Sequence, residues 1–252
     1  MGSNLETVFL PTSDPIAISL ILSLRSGDTG EVASLLHDKP YLANVRLVDA
    51  VGSNDRWRTP LHVVTDWPGY FVNAPANAKL IIEAGGDPNV DCGGDHPETP
   101  LHYAASSDDV EVARVLIDGG ADIERGGGSI GTPLANAVGY ACFSVAQLLL
   151  ERGAKVNTLW EAAGLGLTGR IEELLDGSIS GKEGGFSQED LDQALWHGCQ
   201  GGSVRAVQLL LSRGANLSSK PDYVGGQSHA DAVRSLGTQR QYLIELLNSI
   251  GN

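Results

Sequence analysis

The tetrapeptide Thr59-Pro60-Leu61-His62 recurs as Thr99-Pro100-Leu101-His102, and again, with a changed last residue, as Thr132-Pro133-Leu134-Ala135. The step from Thr99 to Thr132 is 33 residues, and that from Thr59 to Thr99 is 40. A period of this length means that one supersecondary unit is copied and stacked, since no single copy can bury its own apolar face. Each copy leads to an apolar run and a glycine exit. These are Leu80-Ile81-Ile82 to Gly86-Asp87, Val115-Leu116-Ile117 to Gly120-Ala121-Asp122, and Leu148-Leu149-Leu150 to Gly153-Ala154. Leu209-Leu210-Leu211 to Gly214-Ala215-Asn216 follows later.

The chemistry of one copy predicts a helix–turn–helix. Thr caps the first helix, and Pro at its first position needs no N–H partner. Small residues such as Ala104-Ala105 let two helices approach. The apolar stripe of the second helix buries against its neighbours, and Gly ends that helix in a left-handed turn.

Residues 99–122, with TPLH, a small pair, an apolar second helix and Gly-Ala-Asp, resemble the ankyrin repeat. The resemblance is to a degenerate, bacterial-type form, and covers about nine tenths of the chain. It implies an all-α ankyrin-repeat solenoid of about seven stacked helix–turn–helix units including caps, with no sheet beyond finger contacts. A single ankyrin-repeat domain over 1–252 is expected, with an N-terminal capping repeat at 14–56, central repeats at 57–218 and a C-terminal capping repeat at 219–252. Asp14-Pro15 opens the first unit; Trp160-Glu161-Ala162-Ala163 begins a degenerate fifth, and Ser228-His229 the last. Two segments exceed the family length: 68–78, which follows Trp67 and carries Tyr70 and Phe71, and the Gly-rich 177–189. Insertions in solenoids map to loops on one face, often the binding face.

In this family the residue before Thr-Pro and the two after the small pair face the concave side. By position these are Arg58, Asp66 and Trp67; Glu98, Ser106 and Ser107; Gly131, Gly139 and Tyr140; Val156, Gly164 and Leu165; and Asp192, Gln200 and Gly201. Trp67, Tyr140 and Leu165 supply apolar contacts for a partner. The small residues either deepen a groove or let first helices pack tightly. Asp66, Glu98 and Asp192 are read as part of a generally acidic surface, with pairing to a cation as the alternative.

His62 and His102 hold the TPLH histidine, which the resemblance makes a structural hydrogen-bonder near the capping Thr. Trp160 and Trp196 stand in the same slot of later units, either as bulky core variants or as walls of a ligand pocket. The next residues, Glu161 and His197, together with Tyr103 in the third unit, form a row that could act as an acid–base set. No GxSxG, Walker loop, HExxH or Rossmann fingerprint accompanies them.

Thirty-one acidic against 17 basic residues give a formal net charge of −14. Such a surface repels phosphate backbones and anionic lipid, so neither nucleic acid nor a membrane surface is expected as a partner. Cys92, Cys142 and Cys199 are too widely spaced for a metal site and odd in number, which suits a reducing cytosol. The expectation is a cytoplasmic, monomeric recognition scaffold without metal or cofactor. It engages a protein or peptide through the concave groove and fingers, at Arg58, Asp66, Trp67, Glu98, Ser106, Ser107, Tyr140, Leu165, Trp160 and Trp196. The alternative is a small-molecule-binding protein or enzyme with an aromatic-walled pocket using Glu161 and His197.

Overall fold

A computed structural model describes residues 7–49, 56–177, 185–220, 225, 227–234 and 241–250. Among these, fourteen α-helices form seven consecutive pairs. The pairs are α1 (Pro15–Ser26) with α2 (Thr29–Asp38), α3 (Pro60–Val64) with α4 (Ala74–Glu83), α5 (Pro100–Ser106) with α6 (Val110–Asp118), and α7 (Pro133–Gly139) with α8 (Phe143–Glu151). They continue as α9 (Leu159–Gly164) with α10 (Thr168–Leu175), α11 (Gln188–Gly201) with α12 (Val204–Ser212), and α13 (His229–Arg234) with α14 (Gln241–Ile250). The fold is the all-α repeat architecture that the Thr-Pro-Leu series predicts.

Helix starts follow the capping chemistry. Asp14 accepts from the Ile16 amide with Pro15 at the first position. Thr59 and Thr99 each close a capping box in which the third helical residue, His62 or His102, takes the place usually held by Glu. The exits use glycine where φ is positive, as at Gly120 (94°) and Gly214 (96°), a region that L side chains avoid.

The chain divides into two compact units: residues 1–137 with 144–154, and residues 138–143 with 155–252. In the first, each outer helix sinks an aliphatic side chain completely: Val32, Ile81, Leu116 and Leu149. The inner helices add Leu20, Leu61, Leu101 and Leu134. Each such side chain is worth about 1.5–3 kcal/mol of burial. In the second unit Leu159, Ile171, Leu195 and Leu210 build the equivalent core, extended by Leu243 and Leu247 of α14.

Polar rungs tie repeats within the first unit. Asn44 donates to the Gly85 carbonyl (2.7 Å) and accepts from the Asp87 amide (2.9 Å). Asn89 repeats this with Gly120 and Asp122 (2.9 and 2.7 Å). Arg125 pairs with Asp91 and Arg152 with Asp118. In the second unit Arg213 pairs with Asp176.

Three features depart from the expected repeat. First, a small sheet exceeds a simple finger: β1 (Phe9–Pro11) runs parallel to β2 (Arg46–Val48), which is antiparallel to β3 (Trp57–Arg58). The residues before the first cap thus supply an extra strand, held partly by Arg46, whose guanidinium lies over the Phe9 and Trp57 rings. Second, the 68–78 insertion is bound down at both ends. Asn73 donates to the Gly27 carbonyl (2.9 Å), the Tyr70 amide donates to Asp109 (2.8 Å), and the Tyr70 hydroxyl donates to the Asp108 carbonyl. Third, α11 starts early, from a Ser187–Asp190 capping box. Gln188 and Glu189 of the 177–189 insertion are therefore its first turn, while 178–184 lie outside the described residues.

Candidate functional site

The acidic groove positions are bound internally. In the first unit Asp66 Oδ2 accepts from Arg58 (2.7 Å) and from Arg25 (3.1 Å), and its Oδ1 accepts from the Trp67 amide (3.1 Å). Glu98 Oε1 accepts from Asn136 Nδ2 (2.9 Å) and from the Ser129 hydroxyl and amide (2.8 and 3.2 Å). Burial acts to raise the Glu98 carboxyl, and the hydrogen bonds from Asn136 and Ser129 outweigh it, holding the pKa below the ordinary value. In the second unit Asp192 Oδ1 accepts from Gln188 and from the Asn216 amide, both at 2.7 Å.

Two of the aromatic positions expected to face a partner are exposed. Trp67 is 79% exposed and Tyr140, in the second unit, 55%. Ser106 accepts from Asn136 Nδ2 (3.1 Å) and donates to the His102 carbonyl. Ser107 lies under Gly69 of the insertion, where a Cβ would approach its own Cβ to 2.9 Å. Leu165 is half-buried. Between α9 and α11 the small residues serve close packing rather than a deeper groove: a Cβ on Gly201 would overlap the Gly164 carbonyl oxygen.

The row of ionisable groups is built differently from an acid–base set. Glu161 is buried, and its Oε2 accepts from the Thr158 and Asn157 amides (2.8 and 3.0 Å), closing the capping box that starts α9. It does in this repeat what His62 and His102 do in theirs. His197 is buried, bonded at Nδ1 to Gln200 Oε1 (3.0 Å), and burial pushes its pKa down to about 4 against that hydrogen bond. Tyr103 packs edge-on against His62, ring centroids 5.1 Å apart; burial raises its hydroxyl above the ordinary range.

The two indoles that stand in the histidine slot each meet an imidazole. Trp160 lies 4.8 Å from the His197 ring and Trp196 5.7 Å from the His229 ring. Trp196 is buried and Trp160 half-buried. His62 and His102 are structural: Nδ1 accepts from the amides of Thr59 and Thr99, so Nε2 carries the proton and donates to the next repeat's Glu98 and Gly131 carbonyls (2.9 and 3.1 Å).

Sequence reasoning missed Arg25 and Leu22. Both lie on α1, whose opening lacks Thr-Pro. The signal was present: Leu22 follows its cap Asp14 by the same eight residues that separate Trp67 from Thr59. All three cysteines are buried thiols, and burial raises that of Cys199 to about 12. Among the described residues, no cluster of His, Cys, Asp and Glu could hold a metal ion, and no helix is long and apolar enough to cross a membrane.

Residues 69–160 match the family profile described as ankyrin repeats (3 copies). The human ASB11 ankyrin repeat domain is similar in structure, with 21% sequence identity and a TM-score of 0.49 over 90% of this chain and 96% of that one. No curated protein sequence matches the chain.

Proposed function

We propose that this chain, which carries ankyrin repeats, is a recognition scaffold that engages a protein or peptide through the concave positions of its repeats, as a monomer in the cytoplasm. Ankyrin repeats are in general protein-interaction scaffolds, and the fold alone does not choose a partner. The observation that carries the reading is the contrast between two sets of residues. The ionisable groups that chemistry would need, Glu161 and His197, are buried and hydrogen-bonded within the repeats. The aromatic groups that recognition would need, Trp67 and Tyr140, stand exposed. A large exposed ring on a rigid element is the usual anchor of an interface.

Replacing Trp67 by a photo-crosslinking benzoylphenylalanine and irradiating in cell extract identifies the partner. Dissociation constants for that partner are then compared with urea midpoints. Trp67→Ala and Tyr140→Ala are each expected to weaken binding by about 2 kcal/mol, roughly thirtyfold. Stability should shift by less than about 0.5 kcal/mol, as for exposed sites generally. Unchanged affinity with a collapsed midpoint would mean that these rings belong to the core.

A further inference from the structure

We infer that the Arg25–Asp66–Arg58 cluster of the first unit is a docking site for a partner segment bearing a carboxylate beside an apolar side chain. The inference rests on the reading of the concave positions as the partner surface and specifies the chemistry of what they bind. Asp66 Oδ2 accepts from both guanidinium groups, at 3.1 Å from Arg25 and 2.7 Å from Arg58. Two cations on one carboxylate leave a local surplus of one positive charge in a chain of net −14. Among the described residues the other interrepeat pairs, Arg125–Asp91, Arg152–Asp118 and Arg213–Asp176, join one arginine to one carboxylate.

The surplus is accessible. The side chains of Arg25 and Arg58 are 46% and 35% exposed. Each guanidinium carries five N–H donors, and the Asp66 oxygen takes one from each. Arg58 also lines a cavity of about 170 Å³ together with Arg56, with Asp49 on its wall. A second carboxylate meeting two planar forks can be held by paired charge-assisted hydrogen bonds. Asp66 already orders both side chains, so little rotamer freedom remains to be lost on binding.

The apolar half of the site adjoins the charged half. Ile18, Leu22 and Arg25 follow one another at i, i+4 and i+7 and share one stripe of α1. Arg25 reaches Asp66, whose neighbour is Trp67. Leu22 is 61% exposed. A basic segment fits poorly: Asp66 and Glu98 are occupied by internal donors, and the Asp49 charge on the cavity wall is offset by Arg56 there. The long-range field of the chain repels a polyacidic partner. What fits is a segment with one or two carboxylates set among apolar residues.

The test uses the full chain and three short fluorescein-labelled peptides of identical Leu and Phe content, carrying a Glu pair, a Gln pair or a Lys pair. The Glu peptide is expected to bind about tenfold tighter than the Gln peptide, the scale of a lost charge-assisted bond, and the Lys peptide weakest. Arg25→Gln and Arg58→Gln should each shrink the Glu–Gln difference, with folding checked by thermal midpoint. Arg25→Lys, which keeps the charge and loses the fork, should shrink it partly. Asp66→Asn removes the competing charge while its amide oxygen still accepts from and orders both guanidinium groups, and should tighten the Glu peptide. A Lys or Gln peptide that binds as tightly as the Glu peptide overturns the inference. So does weaker Glu binding in Asp66→Asn, or no Glu binding at all. If Glu and Gln peptides bind equally and Trp67→Ala weakens both, the charge assignment fails and the partner surface stands. If the photo-crosslinked partner also ignores Trp67→Ala, the partner surface itself fails.

Discussion

His62 donates its Nε2 proton to the backbone carbonyl of Glu98, 2.9 Å away and 36 residues later in the chain, while its Nδ1 accepts from the Thr59 amide at 3.1 Å. One fully buried imidazole thus closes the cap of its own helix and bolts that repeat to the next. His102 does the same between Thr99 and Gly131.

His62→Ala should therefore cost more than one hydrogen bond. It orphans the buried Thr59 amide, takes one of two donors from the Glu98 carbonyl, which keeps the Cys92 amide, and leaves a hole where the ring stood. The expected loss is about 3 kcal/mol, from unsatisfied polar groups and cavity together. Urea unfolding followed by circular dichroism checks it. A loss below about 1 kcal/mol would mean that water replaces the ring at no cost.

Stability should fall on mild acidification. Burial holds His62 and His197 near pKa 4, below the unfolded value of 6.5. Above pH 6.5 neither state binds the proton, so these residues add no pH dependence. Between 6.5 and about 4 the unfolded chain takes up protons that the folded chain refuses, and stability drops as pH drops. Each histidine accounts for up to about 3 kcal/mol by pH 4. Urea midpoints at pH 7.5, 6 and 5 should show this decline, and a His62→Ala variant should show a shallower one.

Glu161 should behave as a cap rather than as a catalytic base. Glu161→Gln keeps an acceptor oxygen for the Thr158 and Asn157 amides, and Glu161→Ala does not. The expected losses are under about 1 kcal/mol and about 1–3 kcal/mol respectively. Equal losses in the two variants would show that the carboxylate charge, rather than the accepted hydrogen bonds, holds the start of α9.

Gly201→Ala should loosen the second unit. The new methyl would overlap the Gly164 carbonyl oxygen, a backbone atom that cannot rotate away, so α9 and α11 must part. The cost is about 3 kcal/mol, at the upper end for overpacking. Hydrogen exchange should rise across α9 and α11 while α5 and α6 keep their protection.

The repeat architecture was legible because its determinants are local. Thr-Pro at a helix start and glycine at its exit act within a few residues, and they located α3, α5 and α7 directly. The role of Glu161 was legible and misplaced. Thr158-x-x-Glu161 is itself a capping-box spacing. Alignment on Ala162-Ala163 instead puts Trp160 in the histidine slot, because this helix starts one residue later than its relatives. The groove charges were not legible. Asp66 holds Arg58, eight residues away, and a second cation, Arg25, 41 residues away on α1, and no local rule links Asp66 to the latter. The extra strand β1 escaped for the same reason, since Phe9–Pro11 gains its ladder only from Arg46–Val48.

The histidine bolts point one way. Each reaches from a repeat toward the following one, with the donor upstream and the accepting carbonyl downstream. Cutting between two repeats would then leave unequal ends, a ring N–H on one side and a carbonyl on the other, each turned over to water. During synthesis the upstream half emerges first, so water accepts from the imidazole Nε2–H of each finished repeat until the next stretch of chain supplies its carbonyl.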